Sequence, residues 1–421
     1  MPSPLERIRG HRARRAERAR GPCILGYVGT ERVTPGSQSS LREANRARIV
    51  SAVQQRGSLT QVELAGVTGL SPATVSNIVK ELTGAGVLAT APTSRSGRRA
   101  QQVTLARNLG LVGGIHFGSR SLRVTIADVA QRVVADQRMP LPPDHRADAG
   151  LERASLLLTE LVDSVGATMS EVLAVGVGVP APVDPGTGRI VSVGVLRGWD
   201  GVSVPEVLER RLGVPVQVDN DSNLGALAEL RHGAARGKRH VAYLKVSHGV
   251  GSGLIVDGRV FHGRTGAAGE FGHITIDDNG PICRCGNRGC LDALIGAPAL
   301  LRMLESSHGH LTLSDVIARA QDGDPGCRRV ISDAGRLLAV AAANTCNLFD
   351  PELVVVGGRL AEAGPILLDT FRSVLAQRTL PSTAGPVEVV VSELGTAAEV
   401  RGALALALDH AGIAQSMAVA G

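Results

Sequence analysis

The chain has 421 residues, 43% of them hydrophobic and 20% charged, which allows two to four domains with real cores and excludes a disordered polymer. No run reaches the roughly 18 apolar residues of a membrane span, and the arginine-rich start has no apolar segment behind it, so a cytoplasmic protein is expected. One Trp, two Tyr and five Phe are too few to stack single-stranded bases. The net charge of +6 is uneven: residues 1–100 carry +10 and the rest −4, so one end suits a polyanion.

Residues 1–43 read as a basic, mostly disordered tail, either a polyanion-seeking arm or a segment without function. From Ala44 the pattern turns helical, with Ile49, Val50 and Val53 on one face and a stop at Gly57. SLTQVELAGVTG predicts a second short helix burying Leu64 and Val67. Ser71 and Pro72 then predict an N-cap and first turn for a third helix, with Val75, Ile78, Val79 and Leu82 as its apolar stripe. Its outer face carries Ser71, Ala73, Thr74, Ser76, Asn77 and Lys80, groups able to approach phosphates and base edges. PTSRSGRRAQQVTL follows as a two-stranded hairpin whose tip carries Arg95, Arg98 and Arg99. Three helices and a basic hairpin over 44–106 make a winged helix-turn-helix for duplex DNA, with the third helix in the major groove.

Beyond it, residues 107–421 alternate strands and helices. GLVGGIHFGSRSLRVTIADVAQRVVADQ predicts three consecutive strands, a helix near 150–166 follows, and LAVGVGVPAPVD is a buried strand entering a Pro-rich loop. PEVLERRLG is a helix, PVQVDNDSN a strand and loop, and LGALAELRHG a helix. About 130 residues after its first appearance, the three-strand layout recurs in HVAYLKVSHGVGSGLIVDGRVF. The recurrence predicts two related α/β lobes around a cleft, one over about 107–226 plus the C-terminal helix and one over about 227–396.

The most specific chemistry is His273 with Cys283, Cys285 and Cys290. Three thiolates and an imidazole at this spacing, around a Gly-rich spacer, suit a closed tetrahedral structural Zn²⁺ site. Cys23, Cys327 and Cys346 stand alone and read as ordinary residues. The cluster Asp219-Asn220-Asp221-Ser222-Asn223 ends a strand where open α/β folds bind ligands. Asn220 and Asp221 could hold a vicinal diol; the same residues also suit a helix N-cap. Glu270, three residues before His273, and Asp292, two after Cys290, are placed to accept ligand hydroxyl protons from either side of the metal knuckle.

GEFGHITI followed by GPICRCGNRGCLDALIG resembles the Glu-x-Gly-His and cysteine-rich motifs of the ROK family (repressors, open reading frames and sugar kinases), and GVGVPAPVD, GWDG and VDNDSNLGALAE are similar to further family segments. GLSPATVSNIVKEL in front resembles the repressor branch, such as xylose and N-acetylglucosamine repressors. The resemblance implies an α/β fold of two lobes, actin-like and sugar-kinase-like (RNase H-like), behind the winged helix. It implies sugar contacts at Asn220, Asp221, Glu270 and His273, zinc on His273 and the three cysteines, and a homo-oligomer, a dimer or dimer of dimers. Asp221 falls on the general-base position of the kinases, and Asp292 stands where the family usually has Glu, one methylene shorter. Family kinases open with Asp-x-Gly-Gly-Thr; here the place reads His116-Phe117-Gly118-Ser119-Arg120, and the second phosphate turn reads Ser247-His248-Gly249. Without the acidic group that helps hold Mg²⁺ and phosphate, phosphoryl transfer loses its positioning. The expectation is a non-enzymatic, sugar-responsive DNA-binding regulator, a repressor; the alternatives are an active sugar kinase with a fused DNA-binding head and a regulator that senses no sugar.

Overall fold

A computed structural model describes residues 38–95, 98–142, 145–191, 196, 198–381 and 385–413. The basic tail before residue 38 and the side chains of Arg95, Arg98 and Arg99 lie outside the described residues.

The head starts with helix α1 (Gln38–Arg56), whose Ile49, Val50 and Val53 are fully buried as their spacing predicts. Gly57, with φ +74°, turns the chain into a two-residue strand β1 (Leu59–Thr60). The sequence reading takes these residues as helix. They instead pair with the hairpin, Leu59 against Val103 and Thr60 against Gln102. Helix α2 (Gln61–Thr68) is fixed by a capping box, with Thr60 and Glu63 satisfying each other's backbone N–H. Leu64 is buried as expected, but Val67 is 39% exposed. Thr68, one full turn after Leu64, takes the inward position and gives its hydroxyl to the Leu64 carbonyl. Helix α3 (Pro72–Gly84) has Ser71 as N-cap, accepting from the Thr74 N–H, and buries Val75, Ile78, Val79 and Leu82. Strands β2 (Leu88–Arg95) and β3 (Arg98–Leu105) form the wing, in a sheet of order β1-β3-β2.

Two five-stranded sheets follow. The first lobe contains β4 (Leu111–Phe117), β5 (Ser121–Asp128), β6 (Val133–Pro140), β7 (Val172–Val179) and β8 (Val216–Asn220), in the order β6-β5-β4-β7-β8. The second contains β9 (Val241–Val246), β10 (Val250–Val256), β11 (Arg259–Val260), β12 (Leu353–Gly357) and β13 (Glu388–Val391), in the order β11-β10-β9-β12-β13. Both have three antiparallel strands followed by two parallel ones, the same order twice; the recurring three strands are the part the sequence layout predicts. Helices α4 (Ala147–Ser164) and α5 (Val204–Leu212) cover the first sheet, where Trp199, Phe117 and Leu151 anchor a dry core. The second sheet packs on α7 (Leu291–Ile295), α8 (Ala297–His308), α9 (Leu313–Gln321), α10 (Pro325–Phe349) and α11 (Pro365–Arg378).

Two helices tie the molecule together, α6 (Asp221–His232) and α12 (Ala398–His410). A Cβ at Gly402 would stand 1.9 Å from the Leu224 carbonyl oxygen, so α12 and α6 touch backbone to backbone. Gly402→Ala is therefore expected to cost about 1–3 kcal/mol, as overpacking does, measured by chemical denaturation. At its other end α12 supports the head: Leu404, Ala407 and Leu408 share a hydrophobic cluster with Ile49, Val50, Val53 and Leu64. The Gln54 side-chain amide also donates to the Leu408 carbonyl.

Candidate sugar cleft, metal knuckle and DNA-facing helix

Strand β8 delivers Asn220 and Asp221 to the carboxyl edge of the first sheet, and α6 begins at once, with no loop between. Asn220 serves as the helix N-cap: its side-chain oxygen accepts from Ser222 N–H at 2.8 Å and Asn223 N–H at 3.4 Å, and its amide donates to the Ala181 carbonyl at 3.2 Å. Its side chain is thus held in one orientation at the cleft rim. Asp219, beside it, is held by Asn223 at 2.9 Å and His262 at 2.7 Å.

Asp221 is nearly buried and lies in a charge cluster that sequence reasoning missed. Lys245 Nζ donates to Asp221 Oδ2 and lies 3.8 Å from Glu399 Oε1, while His116 Nε2 is 3.5 Å from Asp221 Oδ2. Burial alone would raise the Asp221 pKa; Lys245 and His116 together hold it below the usual carboxylate range. Lys245, opposed by its own burial, is held above the usual lysine value by Asp221 and Glu399. A carboxylate held this way is a poor proton acceptor. The signal for Lys245 was available: it is one of three lysines in the chain and interrupts the apolar strand VAYLKV.

The altered phosphate turns are also internally engaged. Gly118 N–H closes on the Ser121 carbonyl at 2.7 Å, and the Ser247 hydroxyl accepts from the Arg359 N–H at 2.8 Å. His116, where kinases carry a carboxylate, is directed at Asp221.

Across the cleft, Glu270 precedes and His273 ends a short 3-10 turn. Glu270 Oε2 lies 3.8 Å from His273 Nε2. Burial, then the charges of Asp221 and Asp292, push Glu270 up to about 7 against the pull of Arg284. Asp292 is engaged within the protein: its Oδ1 accepts from Val250 N–H at 2.8 Å and its Oδ2 is 3.4 Å from Arg284. This shorter side chain anchors the turn between β9 and β10.

His273, Cys283, Cys285 and Cys290 place their ligand atoms within 4.8 Å of one another. Cys283 Sγ is 3.5 Å from His273 Nδ1, and Cys285 Sγ is 3.7 Å from Cys290 Sγ. Zn–S bonds of about 2.3 Å and Zn–N bonds of about 2.0–2.1 Å give tetrahedral edges of roughly 3.6–3.8 Å. The donor set therefore fits a tetrahedral metal ion. Burial and the neighbouring thiols push Cys290 up to about 12 and raise Cys283, so the crowded sulfurs need a cation to ionise. Burial lowers the His273 pKa, favouring the neutral ring that ligates metal. Backbone bonds from Cys283 N–H to Asn287 and from Gly286 N–H to Cys283 close the knuckle. At Gly289, with φ +65°, a Cβ would overlap the Asp277 carbonyl, so only glycine fits there. With Nδ1 toward the sulfurs, His273 turns Nε2 toward Glu270, which supports using both ends of the ring. Cys346 lies apart from this cluster; Cys327 lies in a second group, with His308 and Asp324, where Asp324 caps α10.

On the head, Ser71, Ala73, Ser76, Asn77 and Lys80 are exposed and Thr74 is partly exposed, so α3 presents the face its sequence predicts. Asn77→Ala is expected to change base preference at one position by about 1–3 kcal/mol, while Lys80→Ala weakens all duplexes alike and lowers the salt slope by about 1. Binding titrations over several salt concentrations and duplex sequences separate the two.

Known proteins agree with this architecture. The ROK family matches residues 112–410, and a winged helix-turn-helix DNA-binding domain matches residues 42–89. A putative xylose repressor of Caldicellulosiruptor sp. (strain Rt8B.4) is 28% identical, over 89% of this chain and 98% of its own. The N-acetylglucosamine repressor of Escherichia coli O157:H7 is 31% identical, over 86% of this chain and 93% of its own. The crystal structure of a ROK family transcriptional regulator, a homologue of an E. coli protein, superposes with TM-score 0.71 at 25% identity, over 90% of this chain and all of that one. A ROK family glucokinase from Streptomyces griseus, solved with glucose and AMPPNP, superposes with TM-score 0.65 at 26% identity, over 71% of this chain and all of that one. With a winged-helix head joined to a duplicated two-sheet body that carries the Glu-x-Gly-His and cysteine motifs, the chain belongs to the ROK family.

Proposed function

We propose that the protein is a DNA-binding transcriptional repressor whose ROK domain senses a sugar or sugar derivative, is stabilised by a structural zinc ion and transfers no phosphate. The observation that carries this is α12. Its first turn brings Glu399 to the Lys245–Asp221 cluster at the cleft floor, and its last turns join one hydrophobic cluster shared by the DNA-binding head and the first sheet. One rigid helix thus links the sugar site to the DNA reader.

In this reading Asn220, Asp221, Glu270 and His273 receive ligand hydroxyls, while Asp292 supports the loop between them. Zinc, when bound, fixes the 273–290 knuckle and so the placement of Glu270 and the His273 ring. A ligand that draws the lobes together moves α6 and α12 as one body, because their backbones are in contact. The protein works as a homodimer, where two heads must meet half-sites about 34–36 Å apart. A small rotation of each head then alters DNA affinity, to the extent that the ligand prefers one conformation. The working compartment is the cytoplasm; no described helix is long and apolar enough to cross a membrane.

The test is a thermal-shift screen of sugars and sugar phosphates on the full chain, followed by operator binding with and without the hit. A shift lost in Glu270→Gln, together with a ligand-dependent change in DNA affinity, is the expected result. With Mg-ATP and the same sugars, no turnover is expected. Turnover abolished by Asp221→Asn would make the protein a kinase, and DNA binding with no ligand shift would make it a regulator of another signal.

A further inference from the structure

Between the head and the first lobe lies a cavity of about 630 Å³, a volume typical of small-molecule sites. It is separate from the sugar cleft and from the outer face of α3, none of whose residues line it. Its walls carry six arginines. Arg56 comes from the end of α1, Arg107 from the link after β3, Arg132 from the turn between β5 and β6, Arg231 from the end of α6 and Arg236 from the loop after it, and Arg401 from α12. Three carboxylates answer them. Asp128 lies 3.5 Å from Arg107 and 3.6 Å from Arg132, and Asp409 holds Arg231. Glu63 also lines the cavity, where it is engaged in the Thr60 capping box. Arg56, Arg236 and Arg401 have no ion-pair partner among the described residues.

Guanidinium groups brought together from five separate segments repel one another; Arg56, Arg236 and Arg401 are exposed, so solvent screens part of that repulsion and an anion among them removes more of it. A second observation marks the field they create. His232 lines the same cavity, and its Nε2 is buried without a hydrogen-bond partner. Burial, then the charges of Arg231, Arg401 and Arg236, hold its pKa down to about 4. The wall thus offers a neutral ring nitrogen beside forked cationic donors. Arginine forks match phosphate oxygens in pairs, and three unpaired guanidiniums call for a ligand with at least two negative charges.

We propose that this cavity binds a small phosphorylated metabolite carrying two or more negative charges, which bridges Arg56 of the head to Arg236 and Arg401 of the lobe. Bound there, the anion cancels the repulsion across the cavity and holds the head in this placement. It is a second effector site, coupled to the sugar cleft through α6 and α12, which supply Arg231 and Arg401 to its wall.

The experiment uses the full chain with pyrophosphate as probe, followed by isothermal calorimetry at low ionic strength. Wild type is expected to take up pyrophosphate saturably, and an Arg236→Gln/Arg401→Gln variant is expected to bind about tenfold or more weakly. Arg210→Gln/Arg211→Gln, which removes the same charge from the exposed face of α5, is expected to bind as wild type does. Equal weakening in both variants would show only an adventitious response to net charge and overturn the site. So would the absence of saturable binding. If wild type ignores pyrophosphate while the Arg236/Arg401 variant loses affinity for a random-sequence duplex, the arginines serve the DNA backbone and the proposal falls. The readout needs neither a sugar nor an operator, so its failure is distinct from failure of the sugar-sensing reading.

Discussion

Cys290→Ser is expected to lose bound zinc, the unfolding stability that zinc confers and the sugar-induced thermal shift together. Cys290 is fully buried, and its sulfur lies 3.7 Å from Cys285 Sγ and 3.6 Å from the His273 carbonyl. It also pairs in a short bridge with Thr275, so it is the point where the two sides of the knuckle meet. A serine hydroxyl does not ionise to a soft ligand, and a three-ligand site leaves the remaining thiols crowded and protonated. Loss of a metal site belongs to the small class of changes that cost more than about 4 kcal/mol. Elemental analysis should show about one zinc per wild-type chain, as a closed four-ligand site requires, and almost none in the variant. Cys346→Ser, on α10 and away from the cluster, should keep its zinc. Wild-type protein purified without metal would remove the zinc reading, and a Cys290→Ser protein that still shifts with sugar would detach the knuckle from the cleft.

The parts legible in the sequence are those where local chemistry decides the structure. The α3 stripe, its Ser71 cap and the recurring three-strand layout follow from periodicity and turn residues. The metal cluster follows from spacing, since Cys-x-Cys-x4-Cys leaves the chain few ways to fold around an ion. What escaped depends on long-range pairing. Leu59 and Thr60 look helical in isolation and become strand because β3 supplies partners. Val67 reads as core by spacing, yet the helix ends one residue later and Thr68 faces inward. Asn220-Asp221 reads equally as cap or ligand-holder, and in the fold Asn220 caps α6 while Asp221 meets Lys245 from a strand of the other lobe. The lone lysine in VAYLKV marks Lys245 as unusual, but no local pattern reveals that its partners are Asp221, 24 positions away, and Glu399 from the last described helix.

Lys245→Met is expected to cost about 3–5 kcal/mol at pH 7, because it leaves charges buried without their counterion. The side chains of Asp221 and Glu399 are 5% and 4% exposed, so water cannot replace the ammonium. Asp221 has a lowered pKa in the folded protein, so its contribution is present above its unfolded value of about 3.9 and fades as pH falls through the lowered one. Lys245 has a raised pKa, so its contribution is present below its unfolded value of about 10.4 and fades only as pH rises beyond that. Wild type therefore keeps the pair from about pH 4 to about pH 10. In the variant, burial acts on Asp221 without opposition from Lys245, which raises its pKa and favours its protonated form. The variant then regains stability as pH falls from 7 toward 4, and the gap to wild type narrows over that range. Urea denaturation at pH 7 and pH 5 measures both effects. Asp221→Asn added to Lys245→Met removes one of the stranded charges and should recover part of the loss, giving a coupling of the sign expected for direct contact. A Lys245→Met protein within about 1 kcal/mol of wild type at pH 7 would place the ammonium in solvent. It would also return Asp221 to the position of a free base, reopening phosphate transfer as this protein's chemistry.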